Sequence, residues 1–460
     1  MMLQKSVKCA IWLKKQNVGP GDVVGVCTHN QMNAYVPCLA SLYIGAIFNP
    51  WWDFEVAEDE VKHFLNLTTP KIVFVNEKSA TMALEASKET GVETKFVVFG
   101  TVSGFQSLND ILMSEDEKLV PEFRCTKLSS VDDPAMICYT SGTTGLPKGA
   151  LHSHRSLFGN VNIIRKIGAS ESGETALVFS SISWISGVLA ILRGIVAMER
   201  RIIYPVFSEE KALELIEKYK VSTSIYFNVL GHHCHQTSTT QLLGHAYVAV
   251  CISQYVCTSK EMKGASFARY ACSTELGSFA FQQSTGYKLG SCGRLNKNLK
   301  MKVIDPETGR ILGPNESGEA CFKSPFMLTC YYRNPEDTKK NIDSEGWLHS
   351  GDLVHYDEEG HVYVTDRIKE LIKCRGHHIA PAKIEQVLQT HPGVKENAVL
   401  GNHGLEDEQP IAFVSKTPNT KVSRIICMST PGAQISENKL LPNAIEPQPS
   451  VSFCFRKLSK

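Results

Sequence analysis

Three stretches of this chain gather residue types able to do chemistry. The first is Ile137-Cys-Tyr-Thr140-Ser141-Gly142-Thr143-Thr144-Gly145-Leu-Pro-Lys148-Gly149, a strand-like run that enters a loop of hydroxyls and glycines. Glycines let backbone N–H groups converge on an anion, Ser and Thr hydroxyls add donors, and one lysine adds a point charge, so the loop reads as a phosphate cradle. A helix with Leu157, Val161 and Ile164 on one side follows in the pattern, and its positive N-terminal end would add to the cradle. Gly145 is followed by Leu-Pro-Lys rather than Lys-Ser/Thr, so this is not a Walker A sequence. Turn chemistry alone produces such a composition too, and a surface turn is the competing reading. The second stretch runs from Gly346-Trp-Leu-His-Ser-Gly351-Asp352 to Asp366-Arg367-Ile-Lys369 and Lys373-Cys-Arg-Gly376. Taken alone, Asp352 reads equally as a turn residue and Arg367 as a solvated strand charge. The third, Gly231-His-His-Cys-His235, holds metal-ligand types, but adjacent ligands rarely converge on one ion without distant partners, so a solvated loop competes with a zinc site.

Holding such loops in place takes rigid elements on either side. Glu58 to Leu67 puts Val61, Phe64 and Leu65 on one helical face and leads into the strand-like Lys71-Ile-Val-Phe-Val75. Ser208 can cap a helix with Ala212, Leu215, Ile216 and Tyr219 as its apolar stripe, and Val221 to Phe227 is the next strand. This alternation predicts an α/β fold with largely parallel sheets. Further along the texture turns to hairpins: Lys302 to Ile304 with Arg310 to Leu312, then Leu353 to Tyr356 with His361 to Val364. Pro381 opens a helix carrying Ile384, Val387 and Leu388. The expected organisation is a large N-terminal domain over 1–365, of layered α/β subdomains plus a β-barrel-like part, then a small α+β domain over 366–415. A divergent tail over 416–460 mixes Ser, Pro, Asn and Cys without sustained period.

Composition narrows the class of partner. A chain of 460 residues, 43% hydrophobic and 21% charged, can bury more than one core. Lys plus Arg number 48 against 47 Asp plus Glu, and the formal net charge of +1 gives no global field for nucleic acid or an anionic membrane. Small molecules are the expected partners, with no protein partner evident. The 15 cysteines are scattered singly with no C-x-x-C pair, which predicts free thiols in a reducing compartment. The N-terminal stretch is interrupted by Lys5, Lys8, Lys14 and Lys15, so it reads as an amphipathic helix rather than a signal peptide or transmembrane span.

The strings Thr140-Ser-Gly-Thr-Thr-Gly-x-Pro-Lys148-Gly149 and Gly346 to Asp352, with Tyr363 to Gly376 and Ile379-Ala-Pro381 to Glu385, resemble the AMP-forming acyl-adenylate superfamily in order and residue by residue. The likeness is to its acyl-CoA synthetase, 4-coumarate-CoA ligase and insect-luciferase-like branch. Weaker matches at Gly45-Ala-Ile-Phe-Asn49-Pro50, Gly290-Ser-Cys-Gly293-Arg294 and Gly318-Glu319 through Tyr331-Tyr332 extend it over most of the chain; Gly45 and Gly293 are as well explained by turns. The resemblance implies an acid:CoA ligase using ATP, Mg2+ and coenzyme A. It implies that Thr140, Ser141, Gly142, Thr143, Thr144, Gly145 and Lys148 grip the β- and γ-phosphates, and that Thr274 and Glu275 serve the α-phosphate and the magnesium, for which a carboxylate oxygen is suited. Asp352 would take the ribose hydroxyls, since a fixed carboxylate chelates a vicinal diol, and Arg367 would offer its fork of donors at the ribose or phosphate. Lys369 would lie in the hinge about which the small domain turns, and Lys373 would serve the thioester-forming step. Trp184, in Ser181-Ile-Ser-Trp184-Ile-Ser-Gly187, would line the acyl or aromatic pocket.

The chain departs from that pattern in three places. In Tyr270-Ala271-Cys272-Ser273-Thr274-Glu275, alignment on Thr274 puts Ala271 where the family has an aromatic residue, and Tyr270 is one residue off, on the opposite face of a strand unless a bulge restores it. Upstream, Cys251-Ile-Ser-Gln254-Tyr255 replaces a glycine-rich turn. The family's Pro-x-Thr-x-x-Gly-Lys signature is absent, and none of Lys416, Lys421, Lys439, Lys457 and Lys460 has its neighbours. Loss of such a cation costs about a hundredfold or more in rate, so impaired adenylation is expected. The leading reading is acyl-CoA synthesis from a fatty or aromatic acid; a luciferase-like monooxygenase and a nucleotide-binding pseudoenzyme are the alternatives. The family points to peroxisomes, and the absence of an ordered Ser-Lys-Leu at Arg456 to Lys460 points to the cytoplasm.

Overall fold

The computed structural model describes residues 2–52, 56–140, 146–167, 173–205, 208–221, 223–227, 247–252, 267–282, 288, 290–374, 377–379, 381, 384–385, 388, 393–401 and 410–416. Two compact units divide the chain, residues 1–300 with 322–348, and residues 301–321 with 349–460.

In the first unit the strands Val23–Cys27 (β1), Ile47–Trp51 (β2), Ile72–Val75 (β3), Lys95–Val98 (β4), Gln106–Ser107 (β5), Pro134–Thr140 (β6) and Lys148–Ser153 (β7) form a sheet in the order β7-β6-β2-β1-β3-β4-β5, with the short strand Cys330–Tyr331 outside β7. Pairing is parallel from β6 across to β5 and antiparallel at β6–β7 and β7 with Cys330–Tyr331. Helices cover both faces, and strand periodicity decides which residue meets which layer. Ile72 and Phe74 pack with Trp12 and Leu13 of the helix Met2–Lys15 and with Leu39 and Ile44 of the helix Tyr35–Ile44. Val73 and Val75 pack with Val61, Phe64 and Leu65 of the helix Glu58–Thr68 and with Ala83 of the helix Ala80–Thr90. Each large apolar side chain so buried contributes about 1.5–3 kcal/mol.

A second sheet in this unit holds Thr175–Val178 (β8), Arg200–Ile203 (β9), Thr223–Phe227 (β10), Tyr247–Ile252 (β11), Phe267–Ser273 (β12), Ser278–Gln282 (β13) and Gly293–Leu295 (β14), in the order β14-β13-β12-β11-β10-β8-β9. It is parallel from β9 to β12 and antiparallel through β13 and β14. The helix before β10 spans Glu209–Tyr219, and Ser208 Oγ accepts the Lys211 N–H at 3.3 Å as its cap. Ala212, Leu215 and Ile216 are buried, but Tyr219 is 42% exposed: the left-handed Lys220 ends the helix immediately after it, and the ring leaves the stripe.

The second unit carries the strands Lys300–Ile304, Gly318–Lys323, Leu348–Tyr356 and His361–Arg367 as neighbours, and two hairpins, Ile372–Cys374 with His377–Ile379 and Val394–Gly401 with Pro410–Lys416. Ile372, Leu388 and Val399 centre a small core. The hairpin expected around Asp357 is present and longer, Leu348–Tyr356 with His361–Arg367. The one expected around Asp305 closes only through an isolated Ile304–Ile311 bridge. Pro381, Ile384, Glu385 and Leu388 are helical, as expected. Mixed α/β architecture, with a large N-terminal sheet domain and a smaller C-terminal one, is the class the sequence predicts. Among the described residues no helix is long and apolar enough to cross a membrane, and the cysteines Cys9, Cys27, Cys38, Cys125, Cys138, Cys292, Cys321 and Cys330 are free thiols.

Candidate active site

The loop read as a phosphate cradle joins β6 to β7, whose register pairs Thr140 with Lys148. Ser141, Gly142, Thr143, Thr144 and Gly145 lie outside the described residues. One expectation needs correction. The helix His154–Ile167 does not follow the loop directly: β7 intervenes, and its length puts about 20 Å of extended chain between Lys148 and the helix start. The helix start therefore lies at the end of β7 opposite Lys148. The strand exists because β7 is hydrogen-bonded on both sides, by β6 and by Cys330–Tyr331, with Ala150 and Leu151 buried.

Lys148, the first residue of β7, places its ammonium 2.7 Å from Asp337 Oδ1 and 5.4 Å from the centre of the Tyr331 ring. Asp337 sits in the first turn of the helix Pro335–Asn341, which Asn334 caps by accepting the Asp337 N–H. The Lys148 ammonium holds the Asp337 carboxyl below its usual range.

Thr274 and Glu275 follow the last residue of β12. Both Glu275 oxygens are anchored: Ser273 Oγ donates to Oε2 at 2.6 Å and the Tyr331 hydroxyl donates to Oε1 at 3.0 Å. The Tyr331 pKa is raised, first by burial and then by the charge of Glu275, so its hydroxyl keeps the proton it donates. Leu328 N–H donates to the Glu275 carbonyl at 2.7 Å. The Thr274 carbonyl accepts from His152 Nε2 at 2.9 Å. A carbonyl can only accept, so Nε2 carries the proton. His152 is fully buried, and burial pushes its pKa down to about 4, which keeps the ring neutral. Ser156 Oγ lies 2.9 Å from Nδ1 and 2.6 Å from the Phe326 carbonyl, to which Asn160 donates at 2.9 Å. Gly277 closes the turn at φ 66, a conformation costly for any residue with a Cβ. Among the described residues each Glu275 oxygen accepts one hydroxyl and keeps a lone pair, and this half-buried, hard-oxygen donor fits Mg2+.

Trp184 is half-buried at the N-cap of the helix Ile185–Val196. Gly187 is required here, because a Cβ would overlap the Ser181 carbonyl. Gly45, at φ 74, is the left-handed cap of the helix Tyr35–Ile44, and buried Asn49 is a hub accepting from Trp51, Tyr139 and Thr68, so that motif supports the fold. At Tyr270 and Ala271 the β12–β13 register shifts between Ala271 and Cys272; Ala271 pairs with Phe281 and Cys272 with Phe279. The extra residue, Ala280, is on β13 and not on the strand that carries Tyr270. The run Gly231 to His235 lies outside the described residues.

The second unit holds Asp352, Arg367, Lys369 and Lys373. Asp352 and Arg367 pair across the Leu348–Tyr356 and His361–Arg367 hairpin, and Arg367 Nε lies 2.9 Å from Asp352 Oδ1. Arg367 is therefore an ion-pair partner and not a lone strand charge. Glu319 accepts the Gly351 N–H at 3.0 Å through one oxygen and meets His349 Nδ1 at 2.9 Å through the other. Cys321 Sγ is 3.6 Å from the same Nδ1. This trio has metal-ligand types, but its contacts are accounted for by fixing the turn at Gly351, φ 70, that presents Asp352. Lys369 lies in the 3-10 turn Ile368–Glu370 and Lys373 in the strand Ile372–Cys374.

Sequence reasoning did not single out His152, Ser273 or Asp337, and cited Tyr331 only as part of a weak match. A lone histidine in a strand, or an acid in a helix first turn, carries no local signal of its partner.

The AMP-binding enzyme family matches residues 2–332. Luciferin 4-monooxygenase of Photuris pensylvanica is 29% identical over 462 residues, 96% of this chain and 85% of that protein. The 4-coumarate–CoA ligase 2 of Oryza sativa subsp. japonica is 29% identical, covering 90% of this chain and 78% of its own, and peroxisomal OPC-8:0-CoA ligase 1 of Arabidopsis thaliana is 28% identical, covering 93% and 80%. Among solved structures, ATP-bound MatB from Rhodopseudomonas palustris superposes with a TM-score of 0.81 at 24% identity, over 92% of this chain and 84% of that one. The luciferase-like enzyme of the nonluminescent mealworm Zophobas morio gives 0.72 at 28% identity, over 80% and 88%. With a family match over most of its length, and with Lys148 and Glu275 held in the matched part, this chain belongs to the AMP-binding enzyme family.

Proposed function

We propose that the chain activates a fatty or aromatic carboxylic acid with magnesium-bound ATP, releasing pyrophosphate, and passes the acyl group to coenzyme A. The observation that carries this reading is Glu275, a carboxylate fixed at both oxygens in the same unit as the Lys148 ammonium. A carboxylate oxygen of the acid attacks the α-phosphorus, the bond to pyrophosphate breaks, and the thiolate of coenzyme A then displaces AMP from the acyl carbon. No protein nucleophile is needed. The protein aligns two anions that repel and neutralises charge growing on the phosphoryl oxygens. Thr140 to Gly145 and Lys148 hold the terminal phosphates, which draw Lys148 from Asp337. Thr274 and Glu275 serve the α-phosphate and the ion that accompanies it. Asp352 and Arg367 hold the ribose, Trp184 borders the acyl group, Lys369 is the hinge of a small domain over 366–415, and Lys373 serves thioester formation. The peroxisomal name of the Arabidopsis relative supports a peroxisomal setting.

Pyrophosphate release from ATP and Mg2+, measured across a panel of carboxylic acids, tests this. Acid-dependent release that Glu275→Ala removes supports the reading; acid-independent release in both proteins sinks it. A second reading, nucleotide binding without turnover, is favoured by the missing Pro-x-Thr-x-x-Gly-Lys signature in 416–460. It predicts ATP binding with no pyrophosphate until a tail bearing that lysine is grafted on. Light or acid-dependent oxygen uptake would instead mark the monooxygenase chemistry named for the Photuris relative.

A further inference from the structure

We propose that Tyr331 is a positioning residue of the adenylating site, its hydroxyl fixing the Glu275 carboxylate for a divalent cation while its ring supports the Lys148 ammonium. The inference rests on the function proposed above. A buried tyrosine often only fills a core and finds any nearby acceptor for its hydroxyl. Tyr331 differs in what it joins. Its hydroxyl donates to a carboxylate, Glu275 Oε1, at 3.0 Å, and its ring centre lies 5.4 Å from the ammonium of Lys148. One side chain thus touches the two charged groups assigned to opposite ends of the triphosphate. Its strand is held in turn: Tyr331 N–H donates to Thr338 Oγ1 of the helix that carries Asp337, and the preceding segment binds the Glu275 main chain through Leu328 N–H. A carboxylate anchored at Oε2 alone keeps rotational freedom about its last bond. The second anchor at Oε1 removes that freedom before the cation arrives, and the lone pair left on each oxygen is the one a hard cation uses. A phenol hydroxyl supplies this anchor as a neutral donor, without competing charge.

Mg2+ titrations of ATP binding, followed by calorimetry on the full chain without acid substrate, separate this role from a packing role. Tyr331→Phe keeps the ring and its contact with Lys148 and removes only the hydroxyl. The Mg2+ midpoint should rise about tenfold, the loss of one hydrogen bond to a charged group, while ATP affinity without Mg2+ stays within about twofold. Glu275→Gln should raise the midpoint at least as far, and the double variant no further than Glu275→Gln alone, because both changes remove one interaction. An unchanged midpoint in Tyr331→Phe, or additive effects in the double variant, would overturn the proposal and leave the adenylating function standing. A parallel loss of Mg2+-free affinity would also overturn it, by showing a packing role. Absence of Mg2+-dependent ATP binding in the unaltered chain would instead remove the function itself. If Tyr331→Phe does not fold, Glu275→Asp withdraws the carboxylate from the intact Tyr331 hydroxyl. A raised midpoint there supports the role, and an unchanged one overturns it.

Discussion

At the scale of single residues, the site depends on protons held where burial keeps them. The buried ring of His152 supports the Thr274 carbonyl as a neutral donor, with its pKa lowered from 6.5 to about 4. In the unfolded chain the ring takes up a proton near its ordinary value, while in the folded chain it resists until about pH 4. Above pH 6.5 both states are neutral and this group contributes no pH dependence. Between 6.5 and 4 only the unfolded state binds the proton, so stability falls as pH falls, by at most ~1.4 kcal/mol per pH unit. Denaturant unfolding at pH 7 and pH 5 should show this slope, and His152→Leu should flatten it. The variant should also lower pyrophosphate release at pH 7, because the Thr274 carbonyl loses its donor. A slope unchanged in His152→Leu would mean that other groups carry the pH dependence.

At the scale of elements, side chains are aimed by where strands end and how tightly turns close. Helices marked by an apolar stripe or a cap were legible: Glu58–Thr68 and Glu209–Tyr219 fall within a residue or two of expectation, because spacing and capping are local properties. Strand β7 was not. Gly149-Ala-Leu-His-Ser153 is too short to show a period, and it becomes a strand because β6 pairs with it on one side and Cys330–Tyr331 returns from far along the chain to pair on the other. The turn before Trp184 is a second case in which packing sets the residue. At Gly187 an added methyl would overlap the Ser181 main chain, which cannot yield as a flexible side chain would. Gly187→Ala should cost about 1–3 kcal/mol, read as a lower thermal midpoint, and should shift the preference among acids by moving Trp184. An unchanged midpoint would show that the turn relaxes freely.

At the scale of the whole molecule, the assigned residues divide between the two units. Lys148, Trp184, Thr274 and Glu275 belong to the first, and Asp352, Arg367, Lys369 and Lys373 to the second. In the proposed reaction adenylation would draw on residues of both units, Asp352 and Arg367 from the second, and Lys373 alone is assigned to thioester formation. The proposed roles predict separable defects. Lys373→Ala should leave acid-dependent pyrophosphate release within about twofold and lower acyl-CoA formation about tenfold or more, as expected when one transition state alone loses an interaction. Stopped-flow measurement of each half-reaction decides it; equal losses in both would refute a role confined to the second.

What the sequence determined by itself was everything written contiguously. The α/β alternation, the hairpin that carries Asp352 and Arg367, and the family follow from short strings, because strands and turns are built by neighbours in the chain. The tertiary structure decided the partners. His152 reaches Thr274 across 122 positions and Tyr331 reaches Glu275 across 56, while Lys148 meets Asp337 only because Cys330–Tyr331 returns to pair with β7. No period or spacing announces such contacts. A hydrogen bond between residues distant in sequence exists only once both strands are packed, and its energy depends on burial that the packing creates.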